Sequence, residues 1–66
     1  MDFIALTLKE ANELILNRGI KAQFRLIYSD GNEQILETVE ISPELENWRV
    51  VKEEEKQGVI ILYLMI

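Results

Sequence analysis

The chain alternates between two hydrophobic periods, and the switch points divide it into elements. Residues 2–6 (Asp-Phe-Ile-Ala-Leu) read as a short first strand. From Leu8 the apolar positions follow a helical period: Leu8, Ala11, Leu14, Ile15 and Leu16 fall within one arc of about 200° at 100° per residue. Lys9, Glu10, Glu13 and Asn17 fill the other side. Thr7-Leu8-Lys9-Glu10 has the capping-box spacing, in which the hydroxyl and the carboxylate each satisfy an orphan backbone amide. Gly19 then supplies the left-handed residue that ends a helix near Arg18. Asn12 interrupts the apolar arc and is read as a boundary amide bonded to a neighbouring strand or to water.

After Gly19 the period drops to two. Ile20, Ala22, Phe24, Leu26 and Tyr28 alternate with Lys21, Gln23, Arg25, Ile27 and Ser29. Asp30-Gly31-Asn32-Glu33 is a turn signal, and residues 34–41 resume a strand pattern. A two-residue Gly31-Asn32 turn pairs Tyr28 with Ile35, Phe24 with Val39 and Ala22 with Ile41, all on one face. Ile27–Leu36, Arg25–Thr38 and Gln23–Glu40 fall on the other. An Asp30-Gly31 turn would place Glu37 against Phe24 and Glu33 against Tyr28, so the first register is preferred. Ser42-Pro43 breaks the strand and a connection follows. Residues 48–55 form a third long strand, with Trp48 and Val50 as core contacts, and Gln57-Gly58 turns the chain into residues 59–66. The sum is a single α+β domain spanning 1–66, in the order β-α-β-β-β-β, with one helix packed on a mainly antiparallel sheet.

Residues 59–66 are apolar at every position, whereas a strand with one face in water should alternate. One set is Val59, Ile61, Tyr63 and Met65; the other is Ile60, Leu62, Leu64 and Ile66. One helix covers one face of a sheet. The set Ile60, Leu62, Leu64 and Ile66 is assigned to the opposite face, together with Ile27, Leu36 and Val51. Either long side chains such as Arg25 and Lys52 trim that face, or a homodimer or another partner buries it.

Length sharpens this expectation. Sixty-six residues bury only about 60% of the unfolded chain's surface, so small domains commonly need disulfides, metal or self-association. With no Cys and no His, disulfides and His/Cys metal sites are excluded, and association is the remedy left. The same absences remove the commonest general base and the thiol nucleophile, and the three glycines stand in three separate turns. No catalysis, cofactor or metal is expected.

The net charge of −5 is unevenly placed. Residues 1–30 carry four acids and four bases; residues 31–66 carry eight acids and three bases. Direct nucleic-acid binding is disfavoured, because it calls for clustered Lys and Arg. Glu53, Glu54 and Glu55 cannot all point one way along a strand, so they form no single metal cage. They read as an edge that resists edge-to-edge pairing, or as a docking site for a basic partner. The expected function is a small acidic interaction module (inhibitor, adaptor or accessory subunit) acting by surface occupancy on a protein partner, with a homo-oligomer as the alternative. Neither a secretory leader nor a membrane span is expected, and the cysteine-free composition suits the cytoplasm.

Overall fold

The computed structural model describes residues 3–37 and 42–66. Helix α1 (Leu8–Arg18) is followed by β1 (Ala22–Ile27), β2 (Glu33–Glu37), a 3-10 turn (Pro43–Leu45), β3 (Arg49–Lys56) and β4 (Val59–Met65). The strands form one sheet in the order β2-β1-β4-β3. Its two hairpins are antiparallel, and the central β1–β4 pair is parallel. The domain is α+β, one helix on a four-stranded mixed sheet. No helix among the described residues is long and apolar enough to cross a membrane.

The helix begins and ends where its local chemistry dictates. The Thr7 Oγ1 accepts the Glu10 N–H at 3.2 Å, and Glu10 Oε1 accepts the Thr7 N–H at 2.9 Å. Gly19, with φ of 63°, closes the helix and donates to the carbonyls of Ile15 and Leu16. Leu8, Ala11 and Ile15 are buried against Phe24, Leu26, Ile60, Leu62, Leu64, Val50 and Trp48. Trp48 meets the edge of Tyr28, with ring centroids 5.0 Å apart.

The segment expected as a first strand is a turn instead. Leu6 N–H donates to Phe3 O at 3.1 Å, and Ala5 sits at φ of 72°. Phe3 is buried and Leu6 packs on the same core, while Ile4 is 52% exposed. Inward positions three apart fit a turn; a strand requires two. The segment then borders the start of β3 through Ala5 N–H to Val50 O, Val50 N–H to Leu6 O and the bridge Thr7↔Arg49.

The β1–β2 hairpin adopts neither register weighed from the sequence. Its loop has three residues, Ser29-Asp30-Gly31. Tyr28 N–H bonds Asn32 O at 2.9 Å, and Gly31 N–H bonds Tyr28 O at 3.0 Å. Gly31 takes the left-handed position such a loop needs, with φ of 90°. Both Asp30 carboxylate oxygens hold Asn32, one on its backbone N–H and one on its side-chain amide. Phe24 consequently pairs with Leu36 and Arg25 with Ile35. That is an odd shift from the expected pairing, so it exchanges the faces of β2. Leu36 moves to the helix side and Ile35 to the opposite side. The expected pairs with Thr38, Val39, Glu40 and Ile41 lie outside the described residues.

Candidate interaction surface

Helix α1 covers one face of the sheet and leaves the other open. Strand register places the open face in rows. Ile35, Arg25, Tyr63 and Lys52 form the central row across β2, β1, β4 and β3. One flanking row carries Gln23, Ile61 and Glu54, with Glu37 at the β2 position. The other carries Glu33 and Ile27 on β2 and β1, then Met65 opposite Arg49 on β4 and β3. Val59 and its partner Lys56 extend the face at the Gln57-Gly58 turn.

The assignment of β4 is the opposite of the sequence expectation. Ile60, Leu62 and Leu64 are 3%, 0% and 0% exposed and belong to the core under α1. Ile66 lies beyond the end of β4, 91% exposed. Leu36 packs against the same core through the hairpin shift. Ile27 is half-buried on the open face, and Val51 is exposed on β3, two strands away. A β-bulge at Val51, between the pairs Val50↔Leu64 and Lys52↔Tyr63, resets the alternation of β3. Glu53 and Glu55 therefore stand opposite Leu62 and Ile60 on the helix side, and Glu54 opposite Ile61 on the open side. Glu53 Oε1 accepts the Phe3 N–H at 3.1 Å. The three glutamates and Ile60 border a cavity of about 210 Å³ at the β3 edge. No group of three or more carboxylates among the described residues could hold a metal ion.

Polar side chains trim the centre of the open face. Tyr63 donates its hydroxyl to Glu54 Oε1 at 2.6 Å. Arg25 and Lys52 approach the Tyr63 ring, 5.8 and 5.3 Å from its centroid. Arg25 also donates to Gln23 Oε1 at 3.2 Å and pairs with Glu33 at 3.1 Å. The Tyr63 bond holds the Glu54 carboxyl below its ordinary range, helped by nearby Lys52, Lys56 and Arg25. The same bond, with desolvation, raises the Tyr63 phenol. Ile61 is 6% exposed on this side of the sheet, outside the helix-side cluster. This cover explains why the central strand can be apolar on both faces: it has a neighbour on each edge, a helix beneath and long side chains above. Around that centre Ile35, Val51 and Met65 stay 53%, 49% and 43% exposed.

The register of β4 had one signal in the sequence. Among its seven apolar residues the lone side-chain hydroxyl is that of Tyr63, which marks its set (Val59, Ile61, Met65) as the wetter face. Gln23 was expected on the open face, where it lies, whereas Ile35 and Met65 were expected on the helix side; the loop length reverses the first of these and the register of β4 the second. Charge is also sorted in an unexpected way. Arg25, Arg49, Lys52 and Lys56 occupy the rows with Glu33, Glu37 and Glu54. Four bases against three acids here leave three bases against nine acids for the rest of the chain. The open face is close to neutral, and the acidity lies elsewhere.

The architecture defines a small α+β domain with one sheet face unclad. Compared with family models, curated proteins and solved structures, the chain finds no match.

Proposed function

We propose that this chain is a small protein-interaction module that works by occupying a surface, with the open sheet face as its recognition surface. The observation that carries this is the exposure of Ile35, Val51 and Met65 around a Tyr63 ring flanked by two cations and bonded to Glu54. Aromatic, Met and Arg side chains are the types enriched at binding surfaces, and a fixed ring loses little freedom on association. Because the face is nearly neutral, a basic partner would be steered by the acidic remainder of the chain rather than by the face itself. No chemical step is assigned to it.

Affinity capture from the producing cells tests this, comparing the natural chain with Met65→Glu, Ile35→Glu and the helix-surface control Glu13→Ala. Partners held by the natural chain and the control but lost from both open-face variants support the reading. Identical capture by all four chains refutes it.

A further inference from the structure

The open face is self-complementary under one rotation, and we infer that its occupant is a second copy of this chain, packed face to face. This rests on the open face being the recognition surface. Two kinds of two-fold axis lay such a face on its own copy: one runs across the strands, the other along them. An axis across the strands, through the row of Tyr63, sets each strand over its own copy. Arg25 then opposes Arg25, Lys52 opposes Lys52, and Glu33 opposes the Glu37 position, with Glu54 over Arg49 the one attractive pair.

An axis along the strands, between β1 and β4, exchanges β1 with β4 and β2 with β3. Arg25 then faces the Tyr63 ring of the second copy, Met65 faces Ile27, and Lys52 lies over Ile35. At one corner the Arg49 position lies over the Glu33 position of the second copy, where Arg49 also holds Ala5 O at 3.0 Å and Glu33 also pairs with Arg25 at 3.1 Å. Each contact occurs twice. The Glu54 position then lies over the Glu37 position, beside Lys56. The strand-parallel axis thus converts base-on-base oppositions into cation–ring, apolar and ion-pair contacts, and it is the one we assign.

The size of the face fits a weak, reversible dimer. Four strands at about 4.8 Å spacing and about six residues of strand give about 400 Å² in projection per copy. Side-chain relief on both copies brings the buried accessible area to about 1,000 Å², the lower limit for a specific interface. Dissociation is therefore expected on dilution through the micromolar range.

Sedimentation equilibrium of the full chain, from low micromolar to millimolar, tests the inference. The natural chain should pass from monomer to dimer mass. Arg49→Glu and Met65→Glu should each weaken the dimer at least about tenfold, like-charge and buried-charge contacts costing more than 1.4 kcal/mol. Far-UV circular dichroism confirms that each variant is folded, and Met65→Glu leaves the Arg49 bond to Ala5 O in place. The swap Arg49→Glu with Glu33→Arg should recover association relative to Arg49→Glu. A monomer at every concentration overturns the inference, as does a dimer indifferent to both variants. The interaction reading fails separately, if capture of other proteins is also indifferent to Met65→Glu.

Discussion

Leu62→Ala separates a core role from a surface role for β4. Leu62 is fully buried, paired with Phe24 on β1 and Glu53 on β3, and part of the cluster beneath α1. Replacing a buried Leu by Ala removes its transfer free energy and leaves a cavity, costing about 3–4 kcal/mol where neighbours are held by a sheet. A domain of this length has a total stability of about 3–10 kcal/mol, so the loss is a large share of it. At about 4–8 °C per kcal/mol, the midpoint should fall by at least about 12 °C. Urea titration at 25 °C, followed by far-UV circular dichroism and Trp48 emission, reads the change directly. Trp48 is 5% exposed and belongs to the same cluster, so its spectrum reports loss of that core. Met65→Ala, on the open side, should stay within about 1 kcal/mol of the natural chain. A loss below about 1 kcal/mol for Leu62→Ala, with native Trp48 emission, would refute the burial argument.

Further outcomes follow from the helix start, the second hairpin and the Tyr63 bond. Thr7→Ala removes the acceptor for Glu10 N–H and should cost about 1 kcal/mol in urea denaturation. Glu10 is held below its ordinary pKa chiefly because it accepts the Thr7 N–H; its stabilising effect is present above the unfolded carboxylate value and is lost as pH falls through the lower folded value. That acid-side dependence should shrink in Glu10→Gln, measured by thermal melts across the acid range. Gln57 and Gly58 connect the paired residues Lys56 and Val59 with φ of 52° and 79°. Gln57→Asn supplies a residue that tolerates this conformation and should stabilise the fold by about 0.5 kcal/mol in the same titration. Tyr63→Phe should raise the Glu54 pKa toward its ordinary value in an NMR titration, while the natural phenol stays protonated above the usual tyrosine value. The bond's contribution is lost as pH falls through the Glu54 value and as it rises through the Tyr63 value.

Local features were legible without tertiary information. The Thr7–Glu10 box and Gly19 set the helix limits, because their bonds close within a few residues. The turn at Gln57-Gly58 and the continuously apolar residues 59–66 pointed to a last strand, and β4 is that strand, paired on one edge with β1 and on the other with β3. The Asn12 Oδ1 is buried and accepts no hydrogen bond from the described residues, which leaves water as the partner its expectation allowed.

Parity decided the rest. A side chain's face depends on whether the residues before it number odd or even, so one added residue inverts everything downstream. The three-residue loop at Ser29-Asp30-Gly31 moved Leu36 beneath the helix and Ile35 to the open side. The bulge at Val51 sent Glu53 and Glu55 to the helix side and Lys52, Glu54 and Lys56 to the other. Neither event changes composition or hydrophobic period, so the period alone distinguishes neither, and Gly31 suits a two-residue turn as well as the three-residue loop. Sequence alone determined that this protein has one capped helix, too little to clothe both faces of its sheet. Only the tertiary structure decided which residues remained bare, because the register of each strand is chosen by the packing of its neighbours.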